Sequence, residues 1–208
     1  MSSKNLIICN GEIPNKEKIY TLAKESDLII CADGGANHAK SARIKPKIII
    51  GDLDSIKNST KKYYSNIEII KIEDQNSTDL EKSLDYLISN KKFSATIIGA
   101  TGKRIDHTLA NISILLKYHL KGMKLKIIEK RFEIFVATKY FSAITKIGKT
   151  ISLIPITKCI GIKTSGLKYT LKSETLCMGV REGVSNVAVK KNISVKIKTG
   201  ALAILIQT

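Results

Sequence analysis

Nothing in the 208 residues is apolar for long enough to cross a bilayer: the longest runs, such as Ala201 to Ile206, fall far short of the ~20 residues a spanning helix needs. A membrane-spanning protein is excluded. The N-terminal MSSKNLIICNGEIP offers only Leu6 to Cys9 as an apolar core, shorter than a secretory h-region and without an A-x-A-like site, so the chain is expected in the cytoplasm. No C-x-x-C spacing joins Cys9, Cys31, Cys159 and Cys177, and each sits among apolar residues, which reads as buried free thiols. Arginine is scarce as well. Four of the 35 basic residues are Arg, and the lysines are scattered, never more than two in a row. Bidentate readers of bases and phosphates favour Arg, so the net charge of +17 reads as a solvated surface, with no specific nucleic-acid partner. No internal repeat or low-complexity segment is present. At this length folding buries roughly 70% of the unfolded surface, so a core needs neither disulfides nor a structural metal.

Up to about Lys139, short Ile-rich runs (LIIC, LIICA, IIIG, IEIIKI, ATIIGA, LKIIE) alternate with amphipathic stretches: Lys16 to Glu25, Ala36 to Ser41, Ile56 to Tyr64, Asp79 to Ile88 and Asp106 to Leu120. Apolar runs flanked by helices on both sides are what a parallel sheet covered on both faces requires. The sequence predicts a doubly wound, mainly parallel α/β domain over 1–139. After about Phe141 the helical period stops. ISLIPI, IGIKT, KYTL, TLCMGV, SNVAV, ISVKIK and ALAILI follow at short spacing, which predicts a smaller all-β sandwich domain over 140–208. All eight Asp lie at or before Asp106, so carboxylate–metal chemistry belongs to the first domain unless Glu174 or Glu182 is recruited.

In a doubly wound sheet ligands bind beyond the carboxyl ends of the strands. The residues there are polar and glycine-rich: Ala32-Asp33-Gly34-Gly35, Asp52-Leu53-Asp54-Ser55, Glu73 to Asp79, and Thr101 to His107. Asp52 and Asp54, two apart, share one side of an extended segment. Like charges so placed bind a cation or take up a proton, and Mg²⁺, which accepts one or two carboxylates plus substrate phosphates, fits. A helix cap at Asp54-Ser55 with Asp52 closing a turn accounts equally for the pair. Gly34-Gly35 and the Gly99/Gly102 pair either let backbone N–H groups approach a phosphate or close βα turns for steric reasons. Lys103 and Arg104 offset charge on a polyphosphate or are surface cations, the simpler reading for Lys103. Capping by Ser77 or Thr78, with Asp79 and Asp106 in first turns, is a sufficient structural account of those residues. His107 reads as a structural residue rather than a base. GATGKR is not a Walker A loop, having Ile97 and Arg104 where Gly and Ser/Thr are required, and NGEIPN replaces a GxGxxG fingerprint after the first strand. P-loop NTPases and nicotinamide oxidoreductases are set aside.

CADGGAN, IIGDLDS, DQNSTDLEKSL and GATGKRIDHTLANI, in this order and spacing, resemble the thiamine pyrophosphokinase family, and TSGLKYTL with GVSNVAV resembles its C-terminal domain. The resemblance implies transfer of the pyrophosphoryl group of ATP to the hydroxyl of thiamine, giving thiamine diphosphate and AMP. It implies Mg²⁺ and a homodimer with the active site at the subunit interface. Matched residue by residue, it implies Asp52, Asp54, Asp79 and Arg104 as catalytic residues, the three acids also as metal ligands. Asp33, Gly34, Gln75, Thr78, Gly102, Lys103, Arg104 and Asp106 are implied around the nucleotide, and Ser185, Asn186 and Tyr169 around thiamine. Tyr169 stands where many relatives have Trp, a smaller aromatic face for any stacking. Asp79 and Asp52 are the candidates for a general base, a role to which a metal-bound carboxylate is poorly suited. Two other readings compete: a different Mg²⁺-dependent pyrophosphoryl- or nucleotidyl-transferase on the same scaffold, and a basic RNA-binding protein whose acidic loops are only helix caps.

Overall fold

The computed structural model describes residues 4–208, which form a mixed α/β, sheet-rich chain. Contacts divide it into two compact units after Lys130. The first unit contains β1 (Asn5–Ile8), α1 (Lys16–Lys24), β2 (Leu28–Ala32), α2 (Gly35–Ser41), β3 (Ile48–Gly51) and α3 (Asn58–Tyr63). It continues with β4 (Glu68–Lys71), α4 (Asp79–Ser89), β5 (Ser94–Ile98), α5 (Ile105–Leu120) and β6 (Lys124–Ile128). Its strands lie in the order β6-β5-β1-β2-β3-β4, and every adjacent pair is parallel. Side chains alternate across a strand. Accordingly Leu6 and Ile8 pack with Ile19 of α1 and Ala36 and Ala39 of α2, whereas Ile7, on the opposite face, is equally buried. The unbroken Ile runs exist because both faces of the central strands are covered.

α4 begins at a capping box. The Thr78 hydroxyl accepts from the Glu81 N–H at 3.3 Å and the Glu81 carboxylate accepts from the Thr78 N–H at 2.9 Å. Leu80, Leu84 and Leu87 then bury one face. Glu81 also accepts from Lys117 of α5 at 2.7 Å, and its carbonyl accepts from the buried Tyr118 hydroxyl at 3.2 Å, tying α4 to α5. Burial raises the Glu81 carboxyl, but its bonds to Lys117 and Thr78 outweigh that and hold it below the usual range. A depressed carboxyl stabilises the fold above its unfolded pKa and loses that contribution as pH falls through its folded one. Thr78→Ala, removing the cap, is expected to lower stability by about 1 kcal/mol in urea unfolding.

The second unit is antiparallel throughout. β7 (Phe132–Ala137), β9 (Thr150–Pro155), β12 (Gly183–Val187) and β14 (Leu202–Gln207) lie in the order β12-β9-β14-β7. The second sheet, β11-β10-β13-β8, consists of β8 (Tyr140–Ile144), β10 (Cys159–Ser165), β11 (Lys172–Leu176) and β13 (Asn192–Lys196). Ile151, Leu153, Leu202 and Ile204 from the first sheet share one buried cluster with Ile162, Leu176, Ile193 and Val195 from the second. Several details depart from the sequence reading: β8 was not among the expected strands, TLCMGV leaves β11 after Leu176 and turns at Met178 to Val180, and two further stretches differ. FEIFVA, placed before the 139/140 boundary, pairs along its length with β14 and so falls within the second unit. KYTL, expected as a strand, is irregular, because the Tyr169 backbone is held by a side chain instead of a neighbouring strand. Cys9, Cys31 and Cys159 are buried and Cys177 partly so, all as free thiols. No helix among the described residues is long and apolar enough to cross a membrane.

Candidate active site

The carboxyl ends of β1, β2, β3 and β5 surround a pocket of about 440 Å³ in the first unit, lined in part by Asp33, Asp52, Gln75, Asp79, Lys82 and Arg104. Asp33 directly follows β2 in the left-handed region (φ 42), a strained place for a residue with a side chain. Its N–H donates to the Ile50 carbonyl at 2.7 Å, and its Oδ2 accepts from the Ser55 N–H at 3.2 Å. The residue is 3% exposed, and its Oδ1 is buried with no hydrogen-bond partner among the described residues. Burial pushes its carboxyl above the usual range; Asp79 and Asp52 add to the rise, and the Gly34 backbone and the Ser55 side chain offset part of it.

Asp52 and Asp54 do not lie on an extended segment. Leu53 between them is left-handed (φ 71), and the Asp54 N–H donates to Asp52 Oδ1 at 3.2 Å. The turn still brings the carboxylates together: oxygens of Asp33, Asp52 and Asp54 lie within 4.8 Å of one another, a spacing able to hold a metal ion. An all-carboxylate set suits a hard divalent cation such as Mg²⁺, and Asp33 Oδ1 is a buried acceptor that such an ion would satisfy. The structure therefore groups Asp33, read as a nucleotide residue, with the two metal acids. Asp79, the third expected ligand, opens α4 as expected and accepts from Lys82 at 3.2 Å. Burial raises its carboxyl, Lys82 counters this, and Asp52 and Asp54 raise it further. Asp33 and Asp79 are thus both raised, each with Asp52 among the causes.

Lys82, which the sequence reading missed, is 5% exposed, aligned with Asp79 one turn earlier and on the pocket wall. A buried ammonium beside a nest of acids is a fixed counter-charge, and the i,i+3 spacing after Asp79 was its only sequence signal. Asn111 was missed too: buried in α5, it donates to the Ala100 carbonyl at 2.7 Å and pins the loop after β5. Cys9 faces the pocket, but burial pushes its thiol up to about 12, which leaves it inert.

The remaining expected residues are present with definite partners. Thr78 is the cap of α4, and the exposed Gln75 donates to the Glu73 carbonyl at 3.3 Å. Gly34 and Gly102 sit tightly against neighbours, where an added Cβ would come 2.4 Å from the Asn10 side chain and 2.4 Å from the Glu12 side chain. Lys103, left-handed (φ 46), donates to the Asn10 carbonyl at 2.6 Å and ties the loop after β5 to the loop after β1. Arg104 and Asp106 form an exposed two-pronged pair at 3.1 and 2.5 Å. That pair, with the His107 N–H, pulls the Asp106 carboxyl down to about 2. In the second unit, Tyr169 and Ser185 are exposed, whereas Asn186 is buried with its amide bonded to the backbone of Tyr169 and Val187.

Known proteins resemble this chain in sequence and fold. The sequence pattern described as Thiamin pyrophosphokinase, catalytic domain, matches residues 19–127, and that of Thiamin pyrophosphokinase, vitamin B1 binding domain, matches residues 139–202. Thiamine pyrophosphokinase 1 of Oryza sativa subsp. japonica is 28% identical over 91% of this chain and 82% of its own. Thiamine pyrophosphokinase of Bacillus subtilis (strain 168) is 27% identical over 88% of this chain and 89% of its own. The crystal structure of thiamine pyrophosphokinase from Bacillus subtilis shares the fold with a TM-score of 0.87 at 24% identity, covering 99% of each chain. That of thiamin pyrophosphokinase from Candida albicans does so at 0.89 and 22%, covering 99% of this chain and 89% of its own. The two matched patterns, together spanning most of the chain, make it a transferase of the kinase type. The chain belongs to the thiamin pyrophosphokinase family. It is accordingly an ATP-dependent enzyme that forms thiamine diphosphate.

Proposed function

We propose that the pocket of the first unit carries the transfer of the pyrophosphoryl group of ATP to the hydroxyl of thiamine, releasing AMP. The observation that carries this reading is Asp33 Oδ1, a buried acceptor without a partner, set among acids that repel it. Asp33, Asp52 and Asp54 would hold Mg²⁺, and the ion when bound would neutralise and orient the phosphates. Transfer of this kind needs in-line positioning and charge neutralisation more than covalent chemistry by the protein. Lys82 and Arg104 supply fixed positive charge on the pocket wall, and the Lys103 and Asn111 bonds hold the two loops that shape it. Asp79, outside the cation-holding trio, is the carboxylate we assign to receive the thiamine hydroxyl proton. Its burial and acidic neighbours raise its proton affinity, and Lys82 fixes its orientation.

The same proposal reads the first unit as doubly wound and the second as a sandwich, on the faces buried by α1, α2 and α4 and on the core shared by the two antiparallel sheets. It assigns the vitamin to Tyr169 and Ser185 of the second unit. It takes the enzyme as a homodimer, for which sedimentation equilibrium should return twice the 22.9 kDa of the chain. A cytosolic setting, where thiols stay reduced, suits the free cysteines.

The deciding experiment incubates the protein with ATP, Mg²⁺ and thiamine, omits the vitamin or the metal in turn, and separates the products. AMP with thiamine diphosphate, requiring both, is expected. ADP with thiamine monophosphate would overturn the reaction type, and absence of thiamine-dependent turnover would move the assignment to another acceptor.

A further inference from the structure

Segment 166–169 runs antiparallel to the end of β12. Val189 N–H donates to the Gly166 carbonyl at 2.8 Å, Leu167 bridges Ala188, and Lys168 N–H donates to the Val187 carbonyl at 2.9 Å. At Tyr169 the backbone ladder stops and a side chain continues it. Asn186 Oδ1 accepts from the Tyr169 N–H at 3.0 Å while Asn186 Nδ2 donates to the Tyr169 carbonyl at 2.7 Å. The same Oδ1 accepts from the Val187 N–H at 2.8 Å. The register of β12 on β9 slips between Gly183 and Asn186, and Ser185 within the slip is left-handed (φ 58). That bulge lets adjacent residues part company, with Asn186 buried at 6% exposure and Ser185 exposed.

We infer that Asn186 is a positioning residue for the vitamin: it fixes the backbone of Tyr169, and through it the Tyr169 ring, without touching thiamine itself. This rests on the assignment of thiamine to Tyr169 and Ser185. The amide is 6% exposed and turned to the backbone: its oxygen accepts twice and its nitrogen gives one N–H to a carbonyl. Tyr169 is 61% exposed and its ring contact is the Lys168 ammonium, 5.5 Å from the ring centroid. Without the Asn186 clip its N–H and C=O lose both partners, and the ring loses its fixed point of attachment.

The test measures thiamine KM and kcat in the AMP assay for the wild type, Asn186→Ala, Asn186→Asp, Tyr169→Ala and the Asn186→Ala/Tyr169→Ala pair. Asn186→Ala should raise KM about tenfold or more and leave kcat at saturating vitamin within about threefold. The double variant should show the KM of Tyr169→Ala alone, since one residue acts through the other. Asn186→Asp keeps both accepted bonds and sets a carboxylate against the Tyr169 carbonyl. It should reproduce the KM rise even where the alanine variant folds poorly. Unchanged KM in both Asn186 variants overturns the inference. So do KM effects that multiply in the double variant, which mark a direct contact, and a kcat that falls in step with the melting temperature, which marks general destabilisation. A wild type that makes no AMP in response to thiamine sinks the thiamine reading itself, an outcome separable from all of these.

Discussion

Asp33→Asn is expected to cut turnover by about a hundred- to a thousandfold while raising the melting temperature of the metal-free protein. Both effects have one cause. The Asp33 carboxyl is buried, its Oδ1 is unpartnered, and Asp52 and Asp79 repel its charge, so its folded pKa lies above the usual carboxylate range. A group with a raised carboxyl pKa binds more protons folded than unfolded, and its contribution to stability falls as pH rises between the two values. At neutral pH the ionised Asp33 therefore opposes folding. Asparagine keeps the shape and the acceptor for the Ser55 N–H and removes the charge. It also removes one of the three carboxylates grouped to hold a cation. Added Mg²⁺ should accordingly raise the melting temperature of the wild type and do so less for Asp33→Asn. Calorimetry of both proteins with and without the metal, beside kcat/KM, checks the pairing. Full activity in Asp33→Asn, or a lower metal-free melting temperature, would sink this account of the acid cluster.

The parallel unit was legible because its period is physical. LIIC, LIICA and IIIG are unbroken because strands covered on both faces bury every residue, and the residues after them are polar because the chain there meets the pocket. The helical stretches came out close to α1, α2, α4 and α5 for the same reason, although α3 begins at Asn58, two residues after the expected Ile56. What could not be read depends on where a side chain finds its partner. A lysine one turn into a helix, such as Lys82, looks like a solvated cation until Asp79 is seen beside it. KYTL has the composition of a strand, yet Asn186 takes the hydrogen bonds that a strand would have given Tyr169. FEIFVA would be a strand beside either unit, and only its pairing with β14 settles which. Asp52 and Asp54 converge as read, but through a left-handed Leu53 turn instead of an extended segment. Residue type and spacing announced that acids would meet at the edge; chain direction decided which of them lie close enough together to hold an ion.

Gly35→Ala is expected to lower the melting temperature by roughly 10 °C or more, and to do so with or without ATP. Gly34-Gly35 admitted two explanations, close approach of backbone to a phosphate or closure of a βα turn for steric reasons. Gly35 is the first residue of α2 and does not need a left-handed backbone, so conformational freedom is not what selects glycine there. In a helix alanine is better than glycine by about 1 kcal/mol, and in open space the substitution would stabilise. Here the added Cβ would stand 1.8 Å from the Ile8 carbonyl oxygen and 2.6 Å from its carbon. Those atoms are backbone at the buried end of β1 and cannot rotate away. Gly122→Ala supplies the contrast: nothing lies within 4 Å of its Cβ, so only its left-handed φ of 88 is at stake, at about 1–2 kcal/mol. If Gly35→Ala instead melted like the wild type and lost only affinity for ATP, the glycine would be there for the nucleotide. The collision with β1 argues that it is there for the sheet, and that the pocket exists because α2 can come that close.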